Sequence, residues 1–261
     1  MGDAAVLKIE RQTIIEQNLE RQGTVLVPAL AELLHCSEET VRRDLKEMET
    51  SGKLARTHGG AYLIEKYDKS YPTTLRKTYL QETKNRLARQ AVSHIGKNEV
   101  IILDSSTTCY ALAEEIVQRD LDLTLITNSL PICNLCDEHG IHINLVCLGG
   151  TFRQRTSSFT GYHTTDILRS YRADKAFVSC PKVTMEYGLS DNHLNEARVR
   201  EDILKHAQEN FLVVDHTKFS ASANILFRGL ERIGTVITDQ KLTGEWENFL
   251  RESEVNLEYC P

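Results

Sequence analysis

Long apolar runs are missing from this chain: no stretch of its 261 residues approaches the roughly 18 that a membrane-crossing helix needs. The N-terminus lacks the basic start and apolar core of a secretory signal, so a cytoplasmic protein with no membrane partner is expected. A disulfide framework is missing too, because seven cysteines are an odd number spread along the sequence, as suits reduced thiols. Cys133-x-x-Cys136 lies near His139 and His142. That spacing matches no zinc finger and there is no second pair, so core packing is the favoured reading and neither metal nor cofactor is expected. Positive charge is in short supply. The net charge is −6, and residues 1–63 carry eight Lys or Arg against ten Asp or Glu. Undirected attraction to nucleic-acid phosphates would therefore be weak. Internal repeats and low-complexity segments are absent as well.

What is present begins at Val27–Leu63, which reads as two short helices, a tight turn and a β-hairpin wing. Pro28 suits a first helical position, where its missing N–H costs nothing. His35 and Cys36 make the turn, and Ser37 is placed to cap the next helix by accepting from the N–H of Glu39 or Thr40. Val41, Leu45 and Met48 recur at i, i+4 and i+7 and face inward. Glu39, Arg43 and Lys46 then lie nearly opposite, with Arg42 and Glu47 on the flanks. Gly52 is expected to end this helix, and the wing to turn at Gly59-Gly60. Between Arg42 and Arg56 the balance reverses, with five basic residues against three acidic ones. A short helix offering its N-terminal outer face suits the DNA major groove. A solvated charged face is the plainer alternative.

Upstream, a helix from Lys8 to Arg21 turns Ile14, Ile15 and Leu19 inward, with Gly23 as its stop, and Thr24–Leu26 can pair with the wing. Glu65–Pro72 reads as a linker before a helix through Thr83–Ile95. From Lys97 the pattern changes. Val100–Leu103, Leu123–Ile126, Ile143–Leu148, Ala176–Val178, Phe211–Val214 and Thr235–Ile237 are continuous apolar runs. They are predicted to be strands buried on both faces of a mostly parallel sheet. Helices fit at Cys109–Gln118, Ile132–Glu138, Thr164–Arg169, Glu196–Gln208 and Leu242–Glu252, with a terminal strand at Val255–Tyr259. Trp246, Phe249 and Leu250 read as core packing of the last helix. The expectation is a doubly wound, mostly parallel α/β domain preceded by a winged helix-turn-helix. The boundaries expected are 1–64, a linker at 65–74, and 75–261.

Ligands of such sheets bind beyond the carboxyl ends of the strands. Three strand ends are unusually polar: Asp104-Ser105-Ser106-Thr107-Thr108, Thr127-Asn128-Ser129, and Gly149-Gly150-Thr151-Phe152-Arg153. The first supplies hydroxyls and backbone N–H groups at a helix start, which is what a phosphate needs. Ser, Thr and Asn are ordinary turn residues, but three such loops at sheet ends favour a pocket. Gly188–Glu196 reads as a polar loop, and Lys218 follows the strand ending at Val214.

Thr40-Val41-Arg42-Arg43-Asp44-Leu45 followed by Arg56-Thr57-His58-Gly59-Gly60-Ala61 resembles the head of DeoR-type transcriptional repressors. One departure is Val27, where that family often has a Ser or Thr cap, so a different cap is expected. The region from about 75 to 240 resembles the family's sensor domain, itself similar to ribose-5-phosphate isomerase. The resemblance implies a repressor of a carbohydrate-use operon, bound to double-stranded operator DNA as a homodimer or higher oligomer. It implies DNA contacts from Ser37, Glu39, Thr40, Arg42, Arg43, Lys46, Arg56 and His58. It also implies a sugar-phosphate effector at Asp104, Ser105, Thr107, Thr108, Asn128, Ser129, Gly149, Gly150, Glu196 and Lys218, with no catalytic residue. Ser179-Cys180-Pro181-Lys182 replaces the family's usual Gly-x-Asp, and Asp215-His216-Thr217-Lys218 its Asp-Ser-Ser-Lys, so the identity of the sugar stays open. The competing class is an isomerase-like enzyme with an added head, for which Asp191 and Glu196 are the nearest acid–base candidates.

Overall fold

The structure is a computed structural model, and it describes residues 7–22, 24–50, 54–56, 59–62, 73–219, 222–227 and 230–260. The chain divides into two compact units, Met1–Leu80 and Gln81–Pro261. The expected roles of Gly23, Gly52 and His58, and the linker expected at Glu65–Pro72, lie outside the described residues.

In the first unit the elements run α1 (Lys8–Gln22), β1 (Thr24–Leu26), α2 (Val27–Leu33), α3 (Glu38–Thr50), β2 (Ala55–Arg56), β3 (Gly60–Tyr62) and α4 (Thr73–Thr78). Ile15, Leu19, Leu30, Leu34, Val41, Leu45 and Met48 form its core, as the helical periodicity requires. No side chain caps α2; instead the Val27 N–H donates to the Gly59 carbonyl of the wing at 2.9 Å. After α2 the chain reverses through His35, whose φ of +48° lets the Cys36 N–H reach back to the Ala31 carbonyl. Strand β1 pairs antiparallel with β3, and β3 with β2. Gly60, expected in the turn of the wing, is instead the first residue of β3, because it pairs with Leu26. Helix α4 was not anticipated from the sequence.

The second unit contains α5 (Gln81–Val92), β4 (Val100–Leu103), α6 (Thr107–Gln118), β5 (Leu123–Thr127), α7 (Leu130–His139) and β6 (Ile143–Cys147). A hairpin, β7 (Thr151–Arg153) and β8 (Ser158–Thr160), leads into α8 (Tyr162–Leu168) and β9 (Ala173–Val178). Then follow β10 (Lys182–Thr184), β11 (Gly188–Asp191), α9 (Leu194–Lys205), β12 (Ala207–Val213), β13 (Ile225–Leu226), β14 (Thr235–Thr238), α10 (Gly244–Glu252) and β15 (Asn256–Tyr259).

Seven strands form one parallel sheet in the order β15-β14-β12-β9-β4-β5-β6. Alternate residues of each strand enter different cores. Ile101, Leu103, Leu125, Phe177 and Phe211 pack with α5, α6 and α7. Ile102, Ile126, Ala176, Val178 and Leu212 pack with α8, α9 and α10. Burial on both faces is the reason the inner strands read as unbroken apolar runs, while β6 at the sheet edge is only partly covered. Helix α9 stops at Lys205 rather than at the expected Gln208, because Ala207 already pairs with Ala173 in the sheet. The expected loop at Gly188–Glu196 begins as strand β11, which is buried and pairs with β10 and β13. Cys133 and Cys136 are buried on α7, while His139 sits by Glu138 and His142 by Asp120. Trp246 and Phe249 pack against the core beside the buried Leu250. Among the described residues, no helix is long and apolar enough to cross a membrane.

Candidate functional site

From β4 the chain winds outward through β5 to β6, then returns to place β9 on the other side of β4. The order therefore reverses between β4 and β9, and a crevice opens at their carboxyl ends. All three polar loops converge there. The Ser106 hydroxyl caps α6 by accepting from the Cys109 N–H at 3.0 Å, and Thr107 and Thr108 occupy its first turn. The Ser129 hydroxyl caps α7 by accepting from the Ile132 N–H. The β7–β8 hairpin joins these loops, since the Phe159 N–H donates to the Asn128 carbonyl and the Leu130 N–H to that of Ser157. Gly150 has φ +132°, and a Cβ there would lie 2.2 Å from Thr164 Oγ1 and 2.9 Å from the Thr160 carbonyl, so the corner admits only glycine. Gly149 accepts from the Thr164 hydroxyl at 2.7 Å.

Beneath the loops lies a buried charge cluster. Arg200, from the middle of α9, donates to Asp104 Oδ2 at 2.7 Å and to the Ser179 carbonyl at 2.8 Å. It also pairs with Asp191 at 2.5 Å, and Glu196 lies 3.6 Å away. Burial works against the Arg200 charge, yet Asp191, Asp104 and Glu196 outweigh it and hold the guanidinium protonated. Glu196 Oε1 accepts from the hydroxyls of Thr156 and Ser158, both at 2.6 Å, and Oε2 accepts from Ser105 at 3.1 Å. Arg153 stands 3.8 Å from the same carboxylate. Burial pushes the Glu196 carboxyl up, but Arg200, Ser158, Thr156 and Arg153 together bring it below the ordinary carboxylate range.

Asp104 and Glu196, expected at the effector site, already have protein partners. Asp104 accepts from Arg200 and from the Ser106 and Ser179 N–H groups, and Glu196 has three hydroxyl partners of its own. Both carboxylates are committed to building the crevice. Asn128 differs. Its amide donates to the Phe159 carbonyl at 2.9 Å, while its buried Oδ1 accepts no hydrogen bond among the described residues. His193, ahead of α9, likewise has a buried Nδ1 without a hydrogen-bond partner among the described residues; burial and Arg153 lower the ring's hold on a second proton. Lys218 lies after β12, 3.5 Å from Asp215. Thr156, Ser158 and Arg200 escaped the sequence reading; Arg153 stood in one of the polar loops without a role, and Asp191 stood in another, named only as an acid–base candidate.

The first unit presents a different surface. Glu39, Arg42, Arg43 and Lys46 are exposed on α3. The Ser37 hydroxyl accepts from the Thr40 N–H at 3.2 Å, the cap expected for this helix. Arg42 pairs with Glu38 at 3.2 Å, and Arg56 with Glu49 at 2.8 Å. Arg43 and Lys46 make no side-chain hydrogen bond or ion pair among the described residues. Asp44, next to Arg43, turns inward and accepts a two-pronged bond from Arg11 of α1, at 2.7 and 3.2 Å. Geometry thus divides Arg42-Arg43-Asp44 between outer face and core.

A winged helix-turn-helix joined to a doubly wound sheet with a polar switch-point crevice defines the class: a DNA-reading head with a ligand-binding body. Comparison with known proteins agrees. Residues 11–67 match the DeoR-like helix-turn-helix domain, and residues 80–240 the DeoR C terminal sensor domain. The chain is 31% identical over 237 residues to the L-fucose operon activator of Escherichia coli, covering 90% of this chain and 96% of that protein. It is 32% identical over 234 residues to the lactose phosphotransferase system repressor of Staphylococcus epidermidis, covering 89% and 92%. It is 28% identical over 251 residues to the transcriptional regulator IolR of Bacillus subtilis, covering 96% and 99%. Among solved structures, ribose 5-phosphate isomerase A from Methanocaldococcus jannaschii aligns over 54% of this chain and 55% of its own, at 20% identity and a TM-score of 0.39. The chain belongs to the DeoR family of transcriptional regulators.

Proposed function

We propose that this regulator represses a carbohydrate-use operon and is controlled by a phosphorylated sugar bound at the β4–β9 crevice. In this reading residues 1–64 read operator DNA, 65–74 connect, and 75–261 sense the effector in the cytoplasm. The phosphate sits over the hydroxyls and N–H groups of Ser105–Thr108, where the start of α6 favours an anion. Ser129, Gly149 and Gly150 shape the wall, and Lys218 neutralises remaining charge. The observation that carries the reading is Asn128, a buried side chain whose Oδ1 has no donor among the described residues. A sugar hydroxyl supplies one, and a buried acceptor left empty is costly. Isomerisation would need a carboxylate free to move a proton, whereas Asp191 and Glu196 are held by Arg200 and by hydroxyls.

On the head, Arg43 is the base-reading residue, with guanine its favoured target through two hydrogen bonds. Glu39, Thr40 and Lys46 share that outer face, and Ser37, Arg42, Arg56 and His58 serve the backbone. One short helix buries little area, so a homodimer or higher oligomer on repeated half-sites supplies the affinity; sedimentation showing a monomer fully bound to one half-site would contradict this. Thermal-shift screening against a panel of sugar phosphates tests the sensor reading. At least one should raise the melting temperature of the wild type and not of Thr107→Ala. Equal shifts in both proteins would move the site elsewhere.

A further inference from the structure

The position just ahead of a helix favours Ser, Thr, Asp or Asn, whose short side chains satisfy the first N–H groups. Helix α9 has His193 there, with extended backbone (φ −137°, ψ 127°) and no side-chain cap bond. Asp191 fixes the backbone instead. Its Oδ1 accepts from the N–H groups of Asn192 at 2.6 Å and His193 at 3.0 Å. Its other oxygen pairs with Arg200, and Arg200 pairs with Asp104 at the end of β4. The His193 backbone is thus tied into the charge cluster beneath the crevice, while the imidazole takes no part in capping.

Two buried polar atoms at this crevice have no hydrogen-bond partner among the described residues: Nδ1 of His193 and Oδ1 of Asn128. The β7–β8 hairpin joins the segments that carry them. Three residues after His193, Glu196 accepts from the hydroxyls of Thr156 and Ser158. The next residue, Phe159, donates its N–H to the Asn128 carbonyl and accepts from the Asn128 amide. A path of contacts therefore runs from the start of α9 through the hairpin to Asn128. Each unmet buried group costs stability. The Asn128 oxygen can only accept, so it needs a donor. An imidazole nitrogen donates or accepts according to its tautomer, and a hydroxyl meets either.

We propose that His193 contacts the effector and sets its specificity, so that the effector presents two hydroxyls besides its phosphate, one to Asn128 Oδ1 and one to His193 Nδ1. This rests on the reading of the crevice as a sugar-phosphate site and narrows it. A phosphorylated sugar lacking either hydroxyl leaves a buried polar atom unmet and binds more weakly. A buried nitrogen left unmet in the effector-free protein is a local cost to the fold, of the kind that binding sites carry.

The first measurement is the unfolding midpoint of the effector-free protein. His193→Leu replaces the unmet nitrogen with an apolar side chain and should be at least as stable as wild type. A clear fall in the midpoint would show that the imidazole serves the fold, and overturns the inference. The second is calorimetric titration with inorganic phosphate, with the 6-phosphates of glucose, galactose, mannose, fructose and tagatose, and with the monodeoxy analogues of whichever binds tightest. His193→Leu should weaken that tightest probe by about tenfold or more. His193→Asn, which keeps a polar atom near the Nδ1 position, should retain most of the affinity. One monodeoxy analogue should bind wild type as weakly as its parent binds His193→Leu, and lose nothing further in that variant. Equal affinity of wild type and His193→Leu for the tightest probe, or deoxygenation losses that are the same in both proteins at every carbon, overturns the inference. Thr107→Ala reports on the phosphate. If it leaves inorganic phosphate and every 6-phosphate unchanged while His193→Leu weakens the sugar probes, the phosphate placement fails and the hydroxyl contact stands. A wild type that binds no probe contradicts both.

Discussion

The winged-helix unit and the parallel-sheet unit place their charged side chains in opposite ways. On α3, Glu39, Arg42, Arg43 and Lys46 are exposed, and the buried Asp44 is answered by Arg11. In the sheet unit, Asp104 after β4, Asp191 at the end of β11, and Glu196 and Arg200 on α9 are all buried. A surface that must meet a long, charged, rigid partner keeps its cations in water, ready to exchange solvent for phosphate and base edges. A crevice that must recognise a small ligand needs polar groups fixed in a low-dielectric setting, where each contact is stronger and each unpaired group costs more. The division predicts large effects on stability from charges in the sheet unit and large effects on binding from charges on α3.

The largest change expected is from Arg200→Met, which removes the cation shared by Asp104, Asp191 and Glu196 and leaves Glu196 with the more distant Arg153. Sheet-unit stability should fall by about 3–5 kcal/mol, measured by denaturant unfolding followed through Trp246 fluorescence. A loss under about 1 kcal/mol would mean that the cluster is well hydrated. Asp44→Ala comes next, at about 2–3 kcal/mol in the head, because Arg11 loses a two-pronged partner; hydrogen exchange of the α3 amides reads it. Its neighbour sharpens the contrast. Arg43→Ala should leave those amides unchanged and cost about 1–3 kcal/mol in operator binding, with discrimination relaxed at one base position. Equal losses on specific and random duplexes would reassign Arg43 to the DNA backbone. The smallest effect is on pH dependence. The folded Glu196 carboxyl titrates below its unfolded value of about 4.3, so its contribution is complete above that pH and is lost as pH falls through the folded value. Glu196→Gln should lower stability at neutral pH and flatten the acid limb of the profile.

Periodicity made α3 legible, since Val41, Leu45 and Met48 fix the inner face and so the outer one. It could not show that Asp44 is buried, because the partner that permits this, Arg11, lies 33 residues away. The sheet strands were legible because burial on both faces removes polar residues from them. The three polar strand ends marked the crevice for the same reason: they interrupt apolar runs. What lay beyond reach was the cluster beneath it. Glu196 meets Ser158 and Thr156 across 38 and 40 residues, and Arg200 meets Asp104 across 96. These meetings depend on the strand-order reversal between β4 and β9, which no local pattern encodes. His206–Gln208 was misread for a related reason, because pairing of Ala207 with Ala173 overrides the helical pattern.

An effector can control DNA binding only if it prefers one arrangement of the protein, since equal affinity for two arrangements shifts neither. The most direct measurement is therefore operator affinity, on a duplex selected from a random pool, with and without the sugar phosphate that gives the largest thermal shift. The wild type should change its operator Kd by a factor set by that preference, about 5–150-fold for typical couplings. Thr107→Ala combined with Lys218→Ala should keep the effector-free Kd and lose the change. A double variant that still responds at the same effector concentration, or a wild type whose operator Kd ignores an effector that it demonstrably binds, would contradict the account.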